Sequence, residues 1–166
     1  DFVEEFSNNY QNEKRRLNVI DFNDIEHMAL ELLLKKDEDG NMIPTDIAKN
    51  IQEKFYEVYT DEYQDTSFVQ EAILDAVSSG DNRFMVGDIK QSIYRFRQAM
   101  PEIFNRKYDE YSSTEIAEDD LKNVRIVLAK NFRSRENIIN SINYIFEKIM
   151  SKQMGDSNYS DIETLK

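Results

Sequence analysis

The sequence has no cysteine, no tryptophan, one histidine, two prolines and four glycines in 166 residues. Without cysteine, disulfides and thiolate–metal sites are excluded, which fits a cytoplasmic protein. No apolar run approaches the roughly 20 residues that a membrane-spanning helix needs, so no membrane association is expected. Repeats and low-complexity segments are absent. Asp1 to Asn9 have neither a basic stretch nor an apolar one, so there is no secretory signal. Beginning at Asp1 rather than Met, the chain reads as a piece of something longer. None of Gly40, Gly80, Gly87 and Gly155 is followed by Lys-Ser or Lys-Thr, so a glycine-rich phosphate loop is missing from this sequence.

What is present suits a helix-rich globular domain: 40% apolar residues and 33% charged ones. The net charge of −12 argues against broad nucleic-acid binding by the whole surface. The charge is unevenly spread. Six basic residues (Arg83, Lys90, Arg95, Arg97, Arg106, Lys107) and two acidic ones (Asp88, Glu102) lie between positions 83 and 107. Six acidic residues and no basic ones lie between Asp109 and Asp120. Such a strip is more often a solvated face than a phosphate-binding one, so charge alone decides nothing.

Hydrophobic spacing predicts the elements. A polar helix with a weak apolar stripe covers Asp1 to Leu17. Asn23, with Glu26 three residues on, predicts a cap for a helix carrying Ile25, Met28, Ala29, Leu32 and Leu33. A turn follows at 37–41, and Pro44 is expected to open a helix to about Lys54. Phe55 to Thr60, Arg83 to Gly87 and Val124 to Ala129 read as short buried strands. Between them lie helices capped by Ser67 and opened by Pro101. An acidic loop covers Ser112 to Asn123, and Ser134 caps a last helix with a broad apolar face. Gly155 onward reads as a polar tail. Strands separated by helices predict right-handed crossovers and a parallel α/β sheet. Ligands of such sheets bind beyond the carboxyl ends of the strands. All three strands end there in polar strings.

The first string is Val58-Tyr-Thr-Asp-Glu-Tyr-Gln-Asp-Thr66. Nucleotide hydrolysis needs one carboxylate near Mg²⁺ and another to orient and deprotonate the attacking water. Asp61 suits the first task and Glu62 the second. A bare Asp-Glu pair is usually only an acidic turn, but Gln64, Asp65 and Thr66 make this string rarer. The second string is Met85-Val-Gly-Asp-Ile-Lys-Gln-Ser-Ile-Tyr-Arg-Phe-Arg97. The Gln91 amide can reach a γ-phosphate, and Tyr94, Phe96 and Arg97 suit stacking on single-stranded bases. The plain alternative makes both rings core residues and the arginines surface. The third string is Leu128-Ala-Lys-Asn-Phe-Arg-Ser134, where Arg133 can act as an arginine finger in cis and Phe132 can stack on adenine. Alone, it is a strand-to-helix turn with a surface arginine.

Taken in this order and spacing, the strings resemble motifs II, III and IV of the UvrD/RecB-like superfamily 1 DNA helicases. Val19-Ile-Asp-Phe-Asn-Asp-Ile25 looks like the short motif upstream of motif II in that group. Gly87 to Arg97, followed by Ala99-Met-Pro-Glu-Ile-Phe104, is most similar to the AddA-type members of the helicase–nucleases. The resemblance runs from about Leu17 to Met150. It implies a partial RecA-like motor domain of the phosphate-loop NTPase kind over 1–133, a helix toward a second motor domain over 134–154, and a tail over 155–166.

It further implies ATP and Mg²⁺ as cofactors. The implied partners are single- or double-stranded DNA and a second protein of the AddB type. The parent would be an ATP-dependent helicase acting in double-strand-break repair, with a nuclease elsewhere. Asp61 matches the Mg²⁺ ligand, Glu62 the hydrolytic base, Gln91 the γ-phosphate sensor and Arg133 a γ-phosphate arginine. Phe132 matches the adenine-stacking position, and Gln64 and Asp65 join it as candidate cofactor-binding residues. Tyr94, Arg95, Phe96 and Arg97 match the DNA-facing part of motif III. Many relatives have Trp at the place of Phe96 and Gly at that of Arg95. In the family fold, the strand leading into the phosphate loop lies between the strand of motif III and the last strand. A gap or altered pairing in the sheet is therefore expected, as is self-association through open strand edges. The isolated chain is expected to be inactive.

Two other readings compete. One is a non-catalytic acidic module that docks a partner protein and keeps the motifs as relics. The other is a Mg²⁺-dependent nuclease, which needs three or more of Asp61, Glu62, Asp65 and Asp88 to converge on a metal. His27 lies beside the apolar stripe of its helix and is expected to be structural.

Overall fold

The computed structural model describes residues 1–113, 123–151, 159, 164 and 165. It divides the chain into two compact units, Asp1–Val58 with Phe68–Phe84, and Tyr59–Ser67 with Met85–Lys166.

The first unit begins with two helices, α1 (Phe2–Leu17) and α2 (Phe22–Leu33). Glu4 and Glu5 in the first turn of α1, and Lys14, Arg15 and Arg16 in its last, complement the helix dipole. The helix stops at Asn18 in the left-handed conformation (φ 54°). Asp21, not Asn23, caps α2. Its carboxylate accepts the Asp24 N–H, and the Asp24 carboxylate accepts the Asp21 N–H, each at 2.9 Å. The reciprocal pair satisfies an N–H at each end of the first turn, which is what a capping box does. The ammonium of Lys14, which is only 7% exposed, bridges both carboxylates at 2.9 and 2.6 Å. His27 is exposed on α2.

The expected turn at 37–41 joins an antiparallel hairpin that the periodicity does not reveal, β1 (Leu34–Lys36) and β2 (Met42–Pro44), with Lys36 facing Met42. The Asp37 carboxylate accepts from the N–H groups of Asp39 and Asn41, and Gly40 takes the positive φ the turn requires. Pro44 ends β2 instead of opening a helix. The cap of α3 (Asp46–Lys54) is Thr45, whose hydroxyl accepts the Ala48 N–H. Ala48, Leu33 and Ala76 form the buried centre of this unit, with Ile51, Ile73 and Val77 packed around them. Ala76 lies on α4 (Phe68–Val77), the helix expected after Ser67. Arg83 grips Glu71 of α4 through both terminal nitrogens, at 3.2 and 2.8 Å.

The strands are shorter than expected: β3 is Val58–Thr60 and β4 is Arg83–Met85. They are hydrogen-bonded neighbours. Val58 N–H donates to the Asn82 carbonyl, and Val86 N–H donates to Thr60, both at 2.8 Å. Partner numbers rise together, so the pair is parallel.

In the second unit, α5 (Pro101–Glu110) starts at its proline as expected, and β5 (Ser112–Ser113) follows. The last strand is reduced to β6 (Val124–Arg125), which pairs with β5 in parallel, Ser112 facing Val124. Residues 126–130 belong to no strand, and Ile126 and Leu128 are exposed; among the described residues no strand pairs with them. The expected single parallel sheet is therefore three separate two-stranded pairings among the described residues. The last helix is α6 (Glu136–Ile149), with Arg135 at its N-cap and no side-chain cap. Ser134 stands one residue before that position, and its N–H is held by the Asn131 side chain. Most of the acidic loop and of the polar tail lies outside the described residues. No described helix is long and apolar enough to cross a membrane.

Candidate functional site

Every candidate site residue belongs to the second unit. A regular parallel ladder would bracket Val86 between residues 60 and 62. Instead, the Val86 carbonyl accepts from Tyr63 N–H at 2.9 Å. One extra residue has been inserted at the carboxyl end of β3, a bulge that breaks the alternation of side chains across the strand. Glu62 occupies it in the left-handed region (φ 50°, ψ 41°). Asp61 and Glu62 are both exposed there, and the Asp61 carboxylate accepts the Glu62 N–H at 2.9 Å.

Behind the carboxylates the chain turns inward through a single 3₁₀ turn, Tyr63–Asp65. Tyr63 is 1% exposed and packs edge-on against Phe104 of α5, ring centres 5.5 Å apart. The Thr66 carbonyl accepts from Met100 N–H at 3.0 Å. Gln64 is equally buried, and both heteroatoms of its amide are engaged: Nε2 donates to Glu62 Oε2 at 2.7 Å and Oε1 accepts from Asp88 N–H at 2.9 Å. Asp65 has a buried Oδ1 with no hydrogen-bond partner. Burial, and then the charge of Glu62, push its carboxyl above the usual range.

The second string leaves β4 at the same end. A Cβ on Gly87 would lie 2.5 Å from Gln64 Oε1 and 3.1 Å from Phe104, so the missing side chain leaves room for the glutamine. The Asp88 carboxylate caps the turn Ile89–Gln91. It accepts from Lys90 N–H, sits 2.9 Å from the Lys90 ammonium and accepts from the Gln91 amide at 3.1 Å. Burial works to raise the Asp88 carboxyl, but the bonds from Lys90 and Gln91 hold it below the usual range. Gln91 itself is exposed.

Further on, Tyr94 and Phe96 lie 5.9 Å apart, and the Arg97 guanidinium sits 5.4 Å from the first ring and 5.6 Å from the second. Phe96 is 77% exposed, so it is not a core residue here. Arg95 pairs with Glu102. In the third string the Asn131 side chain accepts the N–H groups of both Arg133 and Ser134 at 2.9 Å, a local device that sequence reasoning missed. Phe132 is 92% exposed and, with Lys130, Asn131, Arg133 and Leu165, lines an open recess of about 440 Å³.

The structure thus brings Asp61, Glu62, Gln64, Asp88 and Gln91 together through direct bonds. No direct bond joins Phe132 or Arg133 to them among the described residues. The described residues contain no group of three or more acids or histidines placed to hold a metal ion, as a nuclease centre built from Asp61, Glu62, Asp65 and Asp88 would require.

The UvrD/REP helicase N-terminal domain matches residues 1–112. The A-subunit of the ATP-dependent helicase/nuclease of Clostridioides difficile (strain 630) is 51% identical over 162 residues, covering 96% of this chain and 12% of that protein. Its counterpart in Thermoanaerobacter sp. (strain X514) is 50% identical over 167 residues, covering 99% of this chain and 13% of that protein. That of Clostridium acetobutylicum is 48% identical over 169 residues, again covering 99% and 13%. The chain therefore spans about an eighth of the length of these relatives. With its first 112 residues matched, the chain belongs to the UvrD/REP helicase family.

Proposed function

We propose that this chain is part of the ATP-driven motor of a DNA helicase–nuclease of the AddA type, carrying motifs II, III and IV of a partial RecA-like domain. The observation that carries the reading is the bulge at Glu62. It sets two carboxylates at the carboxyl end of β3, bonded through Gln64 to the start of the second string. Glu62 is the base: its carboxylate takes a proton from a water whose oxygen bonds to the γ-phosphorus. The bond from that phosphorus to the bridging oxygen breaks, releasing ADP and phosphate. Asp61 fits a Mg²⁺ ion, which typically takes one or two carboxylates and fills its other positions with water and phosphate oxygens. Bound there, the ion neutralises charge on the phosphates. Gln91 and Arg133 contact the γ-phosphate, and Phe132 stacks on the base. Tyr94, Phe96 and Arg97 form a platform for single-stranded DNA, with Arg95 beside it.

In this reading the whole protein translocates on DNA with an AddB-type partner during double-strand-break repair. The 166-residue chain, which has no phosphate loop, is inactive alone and self-associates through its open strand edges. The decisive experiment is Glu62→Gln in the full-length protein. Turnover is expected to fall at least about 100-fold while Mg-ATP affinity is kept. Retained ATP hydrolysis would remove Glu62 from the base role and the motor reading with it.

A further inference from the structure

Gln64 has a chemistry that the motor reading leaves unused. Gln64 is 1% exposed, and both ends of its amide are engaged within the protein. The orientation of the amide is fixed by its partners. A carboxylate can only accept, so the group on Glu62 Oε2 is the NH₂; a backbone N–H can only donate, so the group on Asp88 is the carbonyl. One end therefore holds the carboxylate proposed as the base. The other holds the first residue of the segment that runs through Gln91 to the Tyr94–Phe96–Arg97 platform. The space that Gln64 needs is made by Gly87, where any Cβ would fall 2.5 Å from Oε1. The backbone adds bonds on either side of this link, from Val86 to Thr60 and Tyr63 and from Met100 N–H to the Thr66 carbonyl, and none of them reaches the Glu62 carboxylate. Among the described residues, the Gln64 amide is the bond that joins Asp88 to the Glu62 carboxylate.

Resting on the motor reading, we infer that Gln64 is a positioning residue that locks the Glu62 carboxylate to the segment beginning at Asp88, so that a shift of the DNA-facing platform is passed to the hydrolytic base. The link is rigid because an engaged buried amide cannot rotate without leaving two polar groups unpaired. A shift of the Asp88 backbone therefore drags Oε1, and the planar amide carries Nε2 and the Glu62 oxygen with it.

The test uses the full-length protein and compares basal with single-strand-stimulated ATP hydrolysis. Gln64→Met keeps the volume and removes both bonds. Gln64→Glu keeps an acceptor for Asp88 N–H but loses the donor to Glu62. Gly87→Ala leaves Gln64 in the sequence and displaces its Oε1. All three are expected to lower the DNA-stimulated kcat about tenfold or more, to lower basal kcat less, and to leave KM for ATP within about threefold. Equal losses of basal and stimulated rates, accompanied by a raised KM, would show a packing role only and overturn the inference. So would stimulated rates within about twofold of the unaltered protein. Should Gln64→Met fail to fold, the other two variants carry the same comparison. Glu62→Gln, run alongside, separates the two claims. If it retains turnover, the motor reading fails. If it is dead while the Gln64 and Gly87 variants keep their DNA stimulation, only the coupling fails.

Discussion

Phe96 is a large ring on the outside of the protein, with Arg97 5.6 Å from its centre, so its loss removes stacking surface and little packing. In the full-length protein, Phe96→Ala is expected to reduce DNA-stimulated ATP hydrolysis several-fold and basal hydrolysis much less. Its effect on stability should stay within about 0.5 kcal/mol, as for other exposed sites. A stimulated rate equal to that of the unaltered protein would sink the platform proposal. At this scale the sequence was legible in placement: Asp61 and Glu62 were expected just past the carboxyl end of an apolar strand and lie there, exposed, although the pair alone reads as an acidic turn. Gln64 was not legible in the same way. Its type suits a ligand contact, and whether the amide faces outward or inward depends on a one-residue bulge that no propensity marks. Asn131 was missed because a short amide binding N–H groups two and three residues on leaves no periodic trace.

The junction of α1 and α2 is tied by a carboxylate pair around one ammonium. The hydrogen bond from Lys14, with that from the Asp24 backbone, lowers the Asp21 carboxyl to about 2. A carboxyl depressed on folding contributes stability that is fully present above its unfolded value near 4. That contribution disappears as pH falls toward about 2. Denaturant melts of the 166-residue chain are expected to lose stability across that window, and Asp21→Asn should flatten this part of the profile. Lys14→Met should lower the melting temperature at neutral pH, because it leaves Asp21 and Asp24 side by side without a counter-charge. An unshifted melt would show that the cluster contributes nothing net. Element existence was readable here and element ends were not. The α2 stripe was evident, but its cap moved from Asn23 to Asp21 through a reciprocal bond that depends on two particular side chains. Pro44 is compatible with a helix start, yet it closes a strand because Thr45 supplies the better cap one residue later.

At the scale of the molecule, the absent phosphate loop and the net charge of −12 set the expectations for the chain alone. Calorimetric titration should show Mg-ATP binding weaker than about 1 mM, since no cradle of backbone N–H groups and no loop lysine hold the β- and γ-phosphates. Micromolar affinity would contradict this. The alternation of helices and strands was legible apart from the β1–β2 hairpin and β5, but the pairing of the strands was not. Strands of two and three residues satisfy only the partners within reach, and the last one took Ser112–Ser113. The bulge at Glu62 has one further consequence. A glutamate held at φ 50° costs on the order of 1 kcal/mol that glycine would not. Glu62→Gly should thus fold more stably than Glu62→Ala by about that amount, as measured by denaturant titration. A library screened for heat resistance and one screened for ATP turnover would then part company at a single codon, the first moving toward glycine and the second keeping the acid.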